Sequence, residues 1–321
     1  MLRIHSCLIL LGILAIQLLS CAGSRKKTPA ELQKLSFPIT VVVEHEITGD
    51  VLGARLNRPF GLAVDARGLL YCVDAGNNRV IQFNSDLKPI REVGGPGSSD
   101  GLLDGPTYVV VDNELNLLIT DEGNRRLSRF DSHLAFAGNV DFYDSDDPLK
   151  FGFPSGIAVT EFGELWVADQ EQNRIAIFSH IGQFDRFVGD FGYSGGQVQS
   201  PEKIVHGSHG QFLVCDAGNS RIAVYDEYGN HVRNVSDDDF DYPIALTTTG
   251  GGLWVVDGST GRLFFFSRRW QRLLVIGPQL PGTGAGLSKP SDIIALPDGR
   301  LVISDTGNDR LIICRIINAE Q

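Results

Sequence analysis

At six near-regular intervals along this chain an Asp is followed five residues later by an Arg: Asp74 and Arg79, Asp121 and Arg126, Asp169 and Arg174, Asp216 and Arg221, Asp257 and Arg262, Asp305 and Arg310. Successive Asp residues lie 47, 48, 47, 41 and 48 positions apart. A second landmark keeps step, because Pro59, Pro106, Pro154, Pro201 and Pro290 each stand fifteen residues before their Asp and Pro243 stands fourteen before. Two landmarks in register at a period in the forties indicate a repeat architecture, in which one supersecondary unit is copied and its neighbours bury its apolar faces.

Each unit holds four short apolar runs. Two lie between Pro and Asp around a Gly-bearing turn, as in PFGLAVDARGLLYCVD and PSDIIALPDGRLVISD. A third follows the Arg (VIQF, IAIF, IAVY), and a weaker fourth such as FDRFVG precedes a long loop to the next Pro. Four hairpin-linked strands per unit describe a propeller blade, so the predicted fold is an all-β, six-bladed propeller. After Arg310 only eleven residues remain, enough for a third strand and not a fourth. ITVVVEHEI, residues 39–47, stands before Pro59 where a fourth strand would, so it is expected to complete the last blade and close the ring, leaving no open sheet edge.

The pattern Pro-x-Gly-apolar-Ala-Val, an apolar strand ending in Asp, then Gly-Asn-x-Arg resembles the NHL repeat. DAGNNR, DEGNRR, DAGNSR and DTGNDR match it closely, whereas DQEQNR and DGSTGR in copies three and five depart at the Gly-Asn pair. The resemblance covers residues 59–321, with 37–58 added by closure, and implies a propeller from 37 to 321. A residue pair needed in every copy is expected to be architectural. The Asp is expected to accept amide donors of its own turn, Gly-Asn to supply left-handed backbone, and the Arg to reach back to the carboxylate.

The chain begins with an Arg at position 3 and an apolar run from Cys7 to Leu19, which reads as a secretory signal over residues 1–20. Leu18-Leu19-Ser20-Cys21 resembles a bacterial lipobox, so Cys21 is the expected lipidation site and 21–36 a polar tether to a membrane, which places the propeller outside the cytoplasm in the cell envelope. Cleavage after Ala22 without lipidation is the alternative. Cys72, Cys215 and Cys314 remain, an odd number that implies no disulfide framework; three buried apolar side chains are expected.

The formal charge is −11, and −12 once Arg3 leaves with the signal, which opposes binding to nucleic acid. Function is expected where the copies differ. The loops entering each Pro and the Asp-to-Arg turns share one face, the top. Two of these loops are acidic: one carries Asp141, Asp144, Asp146 and Asp147, the other Asp237, Asp238, Asp239 and Asp241. Phe142, Tyr143, Phe151, Phe153, Phe240 and Tyr242 are interleaved with them, and Phe191 and Tyr193 lie on a third loop. Exposed aromatics beside charge suit a protein interface; aromatics tucked beneath solvated loops would give the same sequence.

Two residues after the Pro, copies one, three and five carry Gly61, Gly156 and Ala245, while copies two, four and six carry Tyr108, Lys203 and Asp292, with Glu202 adjacent. Facing the axis, these side chains would form either a small polar site or a salt-bridged plug.

The principal expectation is therefore a non-catalytic binding or scaffolding propeller whose top face holds a protein or envelope component. Resemblance also admits a metal-dependent enzyme at the channel mouth, because NHL propellers include a peptidyl-hydroxyglycine lyase and related propellers include lactonases. The lyase places His ligands around the channel. Here His45, His133, His180, His206, His209 and His231 avoid the first four positions after each Pro. No cofactor is implied; calcium is the one ion the acidic runs suggest, although they lack the spacing of a dedicated loop.

Overall fold

The structure, a computed structural model, describes residues 39–142, 151–180, 182–207 and 210–318. The signal, Cys21, the tether and Asp144, Asp146 and Asp147 lie outside them. Six four-stranded antiparallel sheets form the blades of a propeller. Blade one comprises Pro59–Val64, Leu70–Asp74, Arg79–Phe83 and Pro89–Gly94, from the axis outward. Blades two to five repeat this order. Blade six has Asp292–Ala295, Leu301–Asp305 and Arg310–Asn318, and its outer strand is Ile39–Ile47, paired antiparallel to Arg310–Asn318. The ring is closed by the N-terminal strand, as its sequence position predicts.

The landmark spacing is a register. Pro59 pairs with Asp74, Pro106 with Asp121, Pro154 with Asp169, Pro201 with Asp216 and Pro243 with Asp257. These five prolines each stand at the first residue of an inner strand, where no ladder donor is needed, whereas Pro290 precedes the strand that opens at Asp292. A bulge follows each of these prolines and re-aims the strand.

There is no single core. Six apolar clusters each lie between two adjacent blades; Leu62, Cys72 and Ile81 of blade one meet Val302, Leu311 and Ile313 of blade six, while Tyr71, Val73 and Val80 face Leu117 and Ile119 of blade two. Second and third strands are thus covered on both faces, which is why they read as continuous apolar runs and not as alternation. Outer strands such as PIREVG are half exposed. Cys72, Cys215 and Cys314 are buried and unpaired, and burial pushes the Cys314 thiol up to about 12.

The turn geometry corrects part of the sequence expectation. In all six blades the Asp carboxylate reaches back to the incoming loop, accepting the amides of Asn57, Asp104, Gly152, Gln199, Asp241 with Tyr242, and Ser288 at 2.6–3.0 Å. In the four close copies the Asn three residues on donates its side-chain amide to the same carboxylate at 2.8–2.9 Å. Turn amides reach the Asp side chain at Gln172 and Thr260, in the two departing copies. Left-handed backbone falls on the residue after the Asn, such as Asn78 and Ser220, and not on the Gly-Asn pair.

The glycine is needed for closeness instead. A Cβ on Gly76 would stand 2.4 Å from the Asn57 side chain, and one on Gly218 2.7 Å from Gln199. Blade three has Glu171 at this position, and the loop residue facing it has become Gly152, whose added Cβ would meet Glu171 Cβ at 2.5 Å. The glycine has moved to the other side of the same contact.

Candidate functional site at the channel mouth

Close approach of inner strands explains the small residues near the axis. A Cβ on Gly61 would lie 2.5 Å from the Thr107 carbonyl oxygen, and one on Gly156 2.1 Å from that of Glu202. These positions therefore face the next blade's backbone and do not line an open channel. The Lys203 ammonium pairs with Asp292 and donates to the Ile293 carbonyl at 3.1 Å. The other Asp292 oxygen accepts the Leu62 amide at 2.7 Å. One carboxylate thus joins blades four, six and one. Burial pushes the Asp292 carboxyl up, and the ammonium opposes that push.

Glu202 forms a second cluster. One oxygen accepts the Gln170 amide at 2.6 Å and the Tyr242 hydroxyl at 2.9 Å; the other meets the Tyr108 hydroxyl at 3.5 Å. Burial lifts its pKa to about 7 against these donors. Above it opens a cup of about 180 Å³ lined by Arg58, Phe60, Tyr108, Glu122, Gln170 and Glu202. Beneath the ion pair the channel widens into a space of about 330 Å³ walled by Leu62, Val109, Ile157, Ile204, Leu246 and Ile294. The four predicted axial residues thus fall into two groups, an ion pair that fills the channel and a carboxylate that faces the cup.

Glu122 and Gln170 were not singled out by the sequence. Both occupy the position directly after the repeated Asp, where copies one and four have Ala75 and Ala217; a comparison at that column would have found them. Burial raises the Glu122 carboxyl and Arg58 opposes the shift.

The loops divide differently from expectation. Phe142, Phe151 and Phe240 are buried, the first two stacked at 4.2 Å and the third edge-on to Phe264 at 4.8 Å, because they cover the blade interfaces. Asp237 and Asp239 are held by Arg272 at 2.5 and 2.6 Å, and Arg262, instead of returning to Asp257, reaches Asp239 at 3.3 Å. Two of the four carboxylates of this run are therefore ion-paired, Asp238 and Asp241 are exposed without an ion pair among the described residues, and Tyr242 is turned inward to Glu202.

Phe191 and Tyr193 do stand in solvent, 57% and 71% exposed, with rings 6.2 Å apart. Arg221 fixes their loop by donating to the carbonyls of Tyr193, Ser194 and Gln197 at 2.8–2.9 Å. Among the described residues, no three His, Cys, Asp or Glu side chains converge as a metal site.

No protein-family model matches the chain. The protein brain tumor of Drosophila melanogaster is 29% identical over 122 residues, which cover 37% of this chain and 12% of that protein. A streptogramin B lyase structure superposes with a TM-score of 0.63 at 12% identity, over 87% of this chain and 98% of that one. A structure of the nidogen/laminin complex does so with a TM-score of 0.57 at 15% identity, over 75% and 94%. At these identities the solved structures speak to architecture alone, and the architecture they share with this chain is the six-bladed β-propeller.

Proposed function

We propose that this chain is an exported, membrane-anchored binding propeller of the NHL kind, holding a protein partner on its top face. The observation that carries the reading is the Phe191 and Tyr193 pair. Two large aromatics are left in solvent on a loop whose carbonyls Arg221 already holds, so binding there would desolvate aromatic surface with little loop ordering to offset it. The brain tumor match and the presence of a similar propeller in the nidogen/laminin complex support protein binding. Export and anchoring rest on the sequence, from the apolar run at Cys7 to Leu19 and the tetrad ending at Cys21.

A photo-crosslinking residue at position 193 should capture a discrete partner in the native envelope, and the same group at Ile90, on the outer strand of blade one, should not. Phe191→Ala with a crosslinker retained at 193 should reduce that adduct. Equal capture from both positions would overturn the top-face assignment. Mass spectrometry of the mature N-terminus tests the anchor, which requires a lipid on Cys21.

A second reading, a propeller enzyme centred on the channel mouth, is favoured by Glu202, whose pKa of about 7 suits proton transfer near neutrality. Calorimetric titration with calcium and zinc, on wild type and Glu202→Gln, separates the two. A stoichiometric ion lost in the variant would favour the enzyme, and no ion would leave its metal-dependent form without support.

A further inference from the structure

We infer that the bottom face, between blades three and four, holds a lysine or arginine side chain presented by a basic segment of a protein partner. A cleft of about 660 Å³ lies there. Its walls are Phe162, on the turn joining the first two strands of blade three, and Tyr228, on the turn joining the last two strands of blade four. They are 89% and 70% exposed.

Neither aromatic is required by the architecture. At the place of Phe162 the corresponding turns of blades one, two and six carry Arg67, Glu114 and Asp298, all polar, as a solvated turn prefers. Both turns are nonetheless well fixed. Thr160 Oγ1 accepts the amides of Phe162 and Glu164 at 3.3 and 2.9 Å, and Asp226 Oδ1 accepts those of Tyr228 and Asn230 at 3.0 and 2.8 Å. Two exposed rings are therefore presented on fixed backbone.

The charge around them selects the occupant. Glu161, Glu164 and Glu227 line the cleft. Arg186 is shared between Glu164 and Asp185, which leaves Glu161 and Glu227 without a cationic partner among the described residues. Aromatic faces attract a cation through the ring quadrupole, and adjacent carboxylates add a direct Coulomb term. An anionic or purely apolar occupant would leave these two carboxylates uncompensated. A second cleft of about 390 Å³ shares Phe162 and Glu164, so an extended segment has room to continue beyond the Phe162 ring.

The test is fluorescence anisotropy of a labelled peptide of alternating glycine and lysine, with a glycine and glutamine peptide of equal length as control, titrated with the full chain. Saturable, salt-sensitive binding of the lysine peptide alone is expected, weakened about 3- to 5-fold by Phe162→Ala and by Glu227→Gln. Phe191→Ala/Tyr193→Ala, on the opposite face, should leave it unchanged, so this result and the top-face reading fail independently. Equal binding of both peptides, or unchanged affinity in folded Phe162→Ala and Glu227→Gln proteins, would overturn the inference.

Discussion

Asp74 and Asp292 are both fully buried carboxylates that hold a cation, yet their partners come from different levels of the fold. Asp74 meets Arg79, five residues on in its own blade, whereas Asp292 meets Lys203, 89 residues earlier and two blades away. The first arrangement recurs in five of the six blades, blade five excepted, where it fastens the incoming loop; the second occurs once and spans the channel. Local pairs of this kind make each blade, while the axial pair acts on the relation between blades. Breaking each kind should therefore have distinguishable consequences.

The largest effect is expected at the axis. Lys203→Met removes the cation that opposes the burial of Asp292, whose carboxyl must then be buried uncompensated or take up a proton, at a cost of about 3–5 kcal/mol. Lys203→Met/Asp292→Asn should recover most of that loss, because an amide oxygen still accepts from Leu62. Urea denaturation measures both. A double variant no more stable than the single one would show that the pair contributes through packing and not through charge.

Glu202 sharpens the same contrast, since it is buried near the axis without a paired cation among the described residues. A folded-state pKa raised from 4.5 to about 7 means that the folded protein holds its proton more tightly than the unfolded chain. Its contribution to stability is therefore complete below pH 4.5 and lost as pH rises through 7, on the order of 3 kcal/mol in all. Glu202→Gln should match wild type near pH 4.5 and exceed it at pH 8. A difference between the two proteins that does not vary with pH would contradict the assigned shift.

The repeated pair can be broken where it is made and where it is not. Arg221 donates to Asp216 at 2.6 Å and to three loop carbonyls, and its side chain is largely buried; Arg262 touches Asp239 at 3.3 Å with both side chains exposed. Arg221→Ala should cost about 2–3 kcal/mol through lost charge-assisted bonds, and Arg262→Ala less than about 1. Equal losses, measured by thermal melting, would mean that blade five uses its Arg as the other blades do.

This contrast also marks what could be read from the chain before folding. Blade count, ring closure and the fifteen-residue spacing were legible because each is a local register repeated along the sequence, as the pairing of Pro59 with Asp74 shows. The residues named for the axis were found through breaks in the repeat, and a salt bridge among them was one of two readings, but Gln170 and the Leu62 amide were not among the residues named. Nothing local connects Gln170 to Glu202, or Asp292 to Leu62 across 230 residues. The loops misled for a different reason: Phe240 and Phe191 both stand in polar loops leading into an inner strand, and only the tertiary packing of Phe240 against Phe264 separates a buried ring from an exposed one.

The departing turn of blade three offers the finest test of repeat logic. Its missing glycine is explained if Gly152 has taken over the close contact with Glu171, since only one of the two facing residues can carry a Cβ at that separation. Gly152→Ala alone should then cost about 1–2 kcal/mol through overpacking. Gly152→Ala/Glu171→Gly restores the arrangement of the other blades, with a side chain on the loop and glycine in the turn, and should return most of that loss. The two positions must couple, because their side chains compete for one space. Additive losses in the double variant would mean that Gly152 is required for its backbone and that Glu171 is tolerated for some other reason.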